Sequence, residues 1–138
     1  MVNSKNAYEK IKEKLNPIFR DPELQLVVLF GSHATGRVHS KSDIDLGFLY
    51  GKPIEILDLT NRVIQCLETD KVDVIDLRRA SPLLCFCAAR AGKLLFEKTP
   101  GQFNAFYSLS FRKYMDTKKL RDAQQEAIHH FLREKGLS

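Results

Sequence analysis

LQLVVLF at residues 24–30, GSHATGRVHSKS at 31–42 and DIDLGFLY at 43–50 run on without a break, and their order decides the fold. The first segment is short, β-rich and nearly all apolar, which predicts a buried strand ending at Gly31. The second is polar with two glycines and predicts a loop, or a loop with a short helical turn. The third predicts another strand. Working outward, VDVIDL at 72–77 predicts a third strand. Between these strands, residues 54–68 place Ile56, Leu59, Val63, Ile64 and Leu67 on one helical face. Ser81 and Pro82 suit a helix start, as N-cap and first helical residue, and Gly92 suits a left-handed cap at its end. KLLFE at 93–97 fits a fourth short strand, and Thr99-Pro100-Gly101 breaks the chain. From Gln102, the residues Phe103, Phe106, Tyr107, Phe111 and Tyr114 form an aromatic stripe at helical spacing. It predicts a helix over 102–133 that packs on the sheet or on a partner. Upstream, Tyr8, Ile11 and Leu15 predict an amphipathic helix over about 4–16, stopped near Pro17. The whole is one α/β domain over 1–138, a small mixed sheet flanked by helices.

Composition narrows the classes. At 138 residues the chain supports one core without disulfides. Its start, MVNSKNAYEKIKEKLNP, is polar and charged, unlike a signal peptide, and the strongest apolar runs are far too short to span a bilayer. A cytoplasmic setting is expected. The three cysteines, Cys66, Cys85 and Cys87, form no CxxC pair, which argues against a disulfide framework or a zinc site. Cys85 and Cys87 lie within LLCFCAAR and are expected to be buried, inert thiols. The net charge of +5 sits at the ends. Residues 1–20 hold five Lys/Arg against two Asp/Glu, and residues 101–138 hold seven against four. Such ends suit nucleic acid, an acidic protein, or simply a solvated helix face, and the last is preferred. His33, His39, His129 and His130 are expected at the surface or the core edge.

Three pieces carry chemistry. At Gly31 the backbone can approach a ligand closely, and Ser32 offers a hydroxyl to a phosphate oxygen. N–H groups at such a turn bind anions, although Gly-Ser alone is also an ordinary turn. Asp43 and Asp45 point to one face of a strand, where they repel each other. A divalent cation resolves that conflict, since carboxylates are hard ligands suited to Mg²⁺; two solvated acids at an edge are the alternative. Asp73 lies in a mostly apolar strand and needs a partner or a role. Asp76 falls on the opposite face, near water or the Arg78-Arg79 pair. If the strands are neighbours, Asp43, Asp45 and Asp73 converge beside a phosphate-binding turn, as a two-metal site requires.

The run Gly31-Ser32, ten residues, Asp43-x-Asp45, then Asp73 between apolar residues resembles the DNA polymerase β-like nucleotidyltransferase superfamily. The short length, with SPLLCFCAARAGKLLFE and Tyr114-Met115-Asp116, resembles its minimal nucleotidyltransferases over about residues 24–116. The resemblance implies a Mg²⁺-dependent enzyme (two ions) that moves AMP from ATP to a tyrosine of a helical HEPN RNase toxin, acting as its antitoxin in a hetero-oligomer. It implies that Asp43 and Asp45 bind both metals, and that Asp73 binds one and helps deprotonate the acceptor. Gly31 and Ser32 would hold the β- and γ-phosphates, with Lys41 and Ser42 near the nucleotide. Many members carry Arg directly after the Ala of the loop; here Arg37 is displaced and no role is assigned to it. Two other readings stand beside this one. The first is an antitoxin acting by stoichiometric binding, through the aromatic stripe. The second is the same chemistry on RNA or on a small-molecule hydroxyl. Direct nucleic-acid binding is not favoured, and no membrane partner is expected.

Overall fold

The computed structural model describes residues 7–31 and 43–136. The LQLVVLF segment forms β1 (Leu24–Phe30), and DIDLGFLY supplies β2 (Ile44–Tyr50), with Asp43 just ahead of it. β3 (Val72–Asp76) and β4 (Lys93–Glu97) complete a four-stranded sheet in the order β3-β2-β1-β4. β1 runs antiparallel to both its neighbours, whereas β2 and β3 are parallel, so the sheet is mixed. The central β1 has Leu24, Leu26, Val27, Val28 and Leu29 fully buried. That burial explains why it lacks the alternation of a half-exposed strand. A register shift between Leu24 and Leu26 puts Leu24 on the same core as Val27 and Leu29.

One face of the sheet packs on the first three helices: α1 (Ala7–Lys14), α2 (Asn16–Phe19) and α3 (Ile56–Leu67). Ile11, Leu15 and Ile18 meet Leu46, Phe48 and Tyr50 there, together with Leu59, Val63 and Leu67 at successive turns of α3. Ile56 and Ile64, on the same predicted face, are only half-buried. Pro17 does more than stop the first helix. It lies in the first turn of α2, where its missing N–H costs nothing. α3 ends on Glu68 in the left-handed conformation (φ 59°), with its N–H bonded to Ile64 O.

α4 (Pro82–Ala91) and α5 (Gln102–Glu134) cover part of the other face. Ser81 caps α4 as predicted, its hydroxyl accepting from Leu84 N at 3.2 Å. The aromatic stripe finds its partner in Phe86 of α4. That ring stacks on Tyr114 at 4.8 Å and meets Phe111 and Tyr107 at 5.7 and 6.3 Å. The start of α5 is capped by Glu97, whose carboxylate accepts from Gly101 N and Phe103 N. Gln102 then donates to Gln25 Oε1 at 2.7 Å, tying α5 to β1.

Two expectations are corrected. Gly92 is not a left-handed cap: its φ of −84° and ψ of 159° are extended. Glycine is required for space, because a Cβ there would collide with Ala88 O and Val28 Cγ1 where α4 turns into β4. Cys87 is exposed, not buried, since residues two apart on a helix face different ways; Cys85 is half-buried. The Cys85 thiol donates to Leu77 O at 3.4 Å, and burial pushes its pKa up against an opposing pull from Lys113.

Gly92→Ala is expected to destabilise the fold by about 1–3 kcal/mol through overpacking, measured by urea denaturation. Iodoacetamide at pH 8 is expected to modify Cys87 well before Cys85, followed by peptide mass spectrometry, because Cys85 is both less accessible and less ionised.

Candidate active site

Asp43, Asp45 and Asp73 lie at one end of the sheet. β2 and β3 both begin there and β1 finishes there. In the parallel ladder, Asp45 is the register partner of Asp73. In the antiparallel ladder, Asp45 is also the partner of Phe30, the residue before Gly31. One row across three strands therefore reads Asp73, Asp45, Phe30. Adjacent strands lie about 4.8 Å apart, and register partners in a parallel pair share a face, so the two carboxylates stand side by side. Like charges so placed repel and weaken the pair of strands.

The face they occupy follows from the core. Ile44, Leu46, Phe48 and Tyr50 belong to the α1–α3 side, as do Val72 and Val74. By the two-residue period, Asp43, Asp45 and Asp73 point to the opposite side. Asp43 and Asp73 are exposed and Asp45 is half-buried, so these acids sit at a rim and not inside the protein. Their desolvation is accordingly smaller than a fully buried pair would suffer. Asp76, on the other face, has a structural use: its Oδ1 accepts from Arg78 N at 3.0 Å and closes the turn after β3.

Gly31 is held directly against Asp45. Its φ is +76°, a conformation that glycine adopts without penalty, and a Cβ there would run into Asp45 Oδ2. The strand-ending turn thus passes its backbone over the carboxylate at contact distance. Ser32, Lys41 and Ser42 lie outside the described residues, as do His33 and His39.

Among the described residues, no three His, Cys, Asp or Glu side chains are gathered into a ready-made metal cage. What is present is an open edge of hard oxygen donors beside a cradle only glycine leaves free. Mg²⁺ is suited by such an edge, because it takes one or two carboxylates and completes its shell with water and phosphate oxygens. His129 and His130 are exposed on α5, and His130 Nε2 faces Glu134 Oε1 at 3.1 Å. They take no part in the row of acids. No helix among the described residues is long and apolar enough to cross a membrane.

Two cavities lie elsewhere. One, of about 280 Å³, lies between the sheet and α4–α5, bordered by Leu49, Leu77, Cys85, Phe106 and Lys113. The other, of about 230 Å³, lies at the far end of β2 beside Tyr50. The Tyr50 hydroxyl is buried without a hydrogen-bond partner, and burial, with Asp21 adding, pushes its pKa up. The sequence reading missed Phe86, which organises the aromatic stripe. The helix predicted to residue 133 is present, and beyond the stripe it carries the exposed apolar residues Leu120, Ile128 and Phe131.

Comparison with known proteins agrees with this geometry. The family model described as "Polymerase beta, Nucleotidyltransferase" matches residues 9–100. The protein adenylyltransferase MntA of Aphanizomenon flos-aquae is 30% identical over 128 residues, covering 84% of this chain and 85% of that protein. A toxin–antitoxin crystal structure with AMP-PNP is similar with a TM-score of 0.73 and 29% identity, over 89% of this chain and 98% of that one. The structure of a tri-AMPylated Shewanella oneidensis HEPN toxin in complex with an MNT antitoxin gives a TM-score of 0.70 and 27% identity, over 88% and 98%. By its motif spacing, its mixed sheet and these matches, the chain belongs to the polymerase β-type nucleotidyltransferase family.

Proposed function

We propose that this protein is the antitoxin partner of a HEPN RNase toxin and transfers AMP from ATP to a tyrosine hydroxyl of that toxin. The observation that carries the reading is the row Asp73–Asp45 beside the Gly31 turn, at an open rim of the sheet. The similarity to protein adenylyltransferases and to antitoxins solved with AMP-PNP or with an AMPylated toxin supports the substrate and the acceptor.

In the reaction, the acceptor oxygen forms a bond to the α-phosphorus of ATP. The bond from that phosphorus to the bridging oxygen breaks, and pyrophosphate leaves. Gly31 lets N–H groups of its turn approach the β- and γ-phosphates, with the Ser32 hydroxyl assisting. Asp43, Asp45 and Asp73 are the ligands for two Mg²⁺ ions. When bound, Mg²⁺ supplies charge neutralisation on the phosphates and a more acidic acceptor hydroxyl. Asp73, on the strand of the row farthest from Gly31, is assigned to orient the acceptor and receive its proton. Lys41 and Ser42 are assigned to the nucleotide by their position just before Asp43. The exposed rim suits a macromolecular acceptor presented from outside, since no second lobe among the described residues encloses a small one. A cytoplasmic setting, where ATP and Mg²⁺ are abundant, belongs to the same proposal, as does action by the chain as a single domain.

Purified protein, α-labelled ATP, Mg²⁺ and a HEPN toxin from the same organism are expected to yield labelled toxin. Asp43→Asn/Asp45→Asn should retain the fold by circular dichroism and lose labelling by a factor of about 10²–10³ or more. Absence of label with the wild-type protein would overturn the reading. Equal protection of cells by wild type and the double variant would favour neutralisation by binding alone, and label on RNA in place of toxin would move the acceptor.

The geometry gives two further expectations. Asp73→Asn should raise metal-free stability by about 0.2–1 kcal/mol through relief of like-charge repulsion, and should shrink the rise in Tm that Mg²⁺ gives the wild type. Gly31→Ala and Gly101→Ala should each cost about 1–2 kcal/mol from their positive φ. Only Gly31→Ala should abolish labelling, because nothing lies within 4 Å of a Cβ at Gly101.

A further inference from the structure

The face of the sheet that carries the acids continues beyond them. Along β2 it presents Asp45, Gly47 and Leu49; along β3 it presents Asp73 and Ile75, with Leu77 just after the strand. Leu77 leans back over Gly47, where a Cβ would meet its side chain at 3.0 Å. An apolar floor of Ile75, Gly47 and Leu77 therefore leads from the acidic row to the cavity of about 280 Å³ between the sheet and α4–α5. Leu49 borders that cavity and stands four residues beyond Asp45, roughly 13 Å at the rise of a β-strand.

The lining indicates what the cavity takes. Its walls include Leu49, Leu77, Phe106 and Leu109. Its charged groups are Arg78 and Lys113, and among the described residues no carboxylate borders it. Lys113 reaches close enough to pull down the pKa of the Cys85 thiol in the wall, against the effect of burial. Asp76 is turned to the other face, and Asp116, one turn beyond Lys113 on α5, does not border the cavity. Among the described residues neither cation makes an ion pair. Two donor-only charges beside an apolar pocket fit an apolar group that carries a carboxylate nearby. Adenine is a poorer occupant. Its amino group is a donor, and no carboxylate or side-chain amide lines the pocket to receive it. At about 280 Å³ the cavity is also smaller than the roughly 300–1,000 Å³ that drug-sized ligands occupy, which suits one side chain of a larger molecule. Its place agrees with this. It is bordered from β2 and the end of β3, on the side assigned to the acceptor, and by no residue of β1, which leads to the Gly31 turn.

We propose that this pocket holds the toxin chain beside the acceptor tyrosine, taking an apolar side chain into the cavity and a neighbouring carboxylate against Arg78 and Lys113. An extended chain covers the distance to the acidic row in roughly four residues, so the anchoring pair is expected about that far from the tyrosine. The proposal rests on the reading that the acceptor is a toxin tyrosine. It adds which part of the toxin around that tyrosine is recognised, and by which residues.

The test uses the full-length protein and the intact toxin. R78E/K113E changes two exposed side chains outside the acidic row and should keep the fold by circular dichroism. It is expected to raise KM for the toxin by about tenfold or more, with KM for ATP and kcat at saturating toxin within about twofold of wild type. The difference should shrink at high salt. p-Benzoylphenylalanine in place of Leu109 should crosslink, on irradiation, to toxin residues within about five of the labelled tyrosine. A toxin with an acidic residue of that stretch changed to lysine should recover a low KM with R78E/K113E and lose it with wild type. An unchanged toxin KM in R78E/K113E overturns the pocket. So does a rise in KM for ATP alone, which would put the base there, or a crosslink far from the tyrosine. Those failures leave labelling by the wild type intact, whereas absence of labelling by the wild type would end the proposed activity and the pocket with it.

Discussion

The structure turns on a repulsion that the backbone enforces. Asp45 and Asp73 are locked side by side by the parallel ladder of β2 and β3, and that ladder is held by a core neither acid touches. The register fixes where both carboxylates start, and the Gly31 turn closes over one of them. The sheet thus gathers negative charge at one end, where a bound cation would be favoured. The other features serve this end of the molecule. A doubly buried β1 stiffens the centre, α3 fixes β2 and β3 as parallel neighbours, and α4 and α5 cover the same face further along without closing the rim.

Most of this was legible in the sequence, because the informative residues there have few alternative uses. A seven-residue run that is apolar except for Gln25 has one comfortable place in a small α/β domain. An acid between Val72 and Val74 is difficult to explain by packing. The neighbour relation of β2 and β3, on which the convergence of the acids depended, was a condition in the sequence reading and is met by the fold. The misreadings share a cause: one residue type answers several physical needs. Gly92 reads as a backbone cap, whereas the need is steric, to let α4 turn tightly over Val28. Cys87 has apolar sequence neighbours, yet its place on the helix turns it outward. Pro17 both ends one helix and begins the next. The helix over 102–133 is legible, and the fold carries it to Glu134, but Lys, Asp and Gln dilute the apolar spacing of its distal half, whose exposure shows only in the structure.

The two halves of α5 differ in how firmly they are held. Its first half is bound into the domain by Glu97, Gln102 and the Phe86 cluster. From Lys118 to Gly136 every residue except Leu132 is exposed, so the second half has little packing to stiffen it.

The row Asp73–Asp45–Phe30 has one more consequence, and it concerns how the chain reaches its fold. Slipping β3 by one residue against β2 would turn Asp73 toward Leu46, Phe48 and Val63, and carry Val72 and Val74 out toward water. An unpaired carboxylate in that core is among the most expensive errors a small domain can make. The acid proposed to serve the reaction therefore also rejects the wrong strand pairing. Any chain that completes its core has, by that fact, aligned the acidic row.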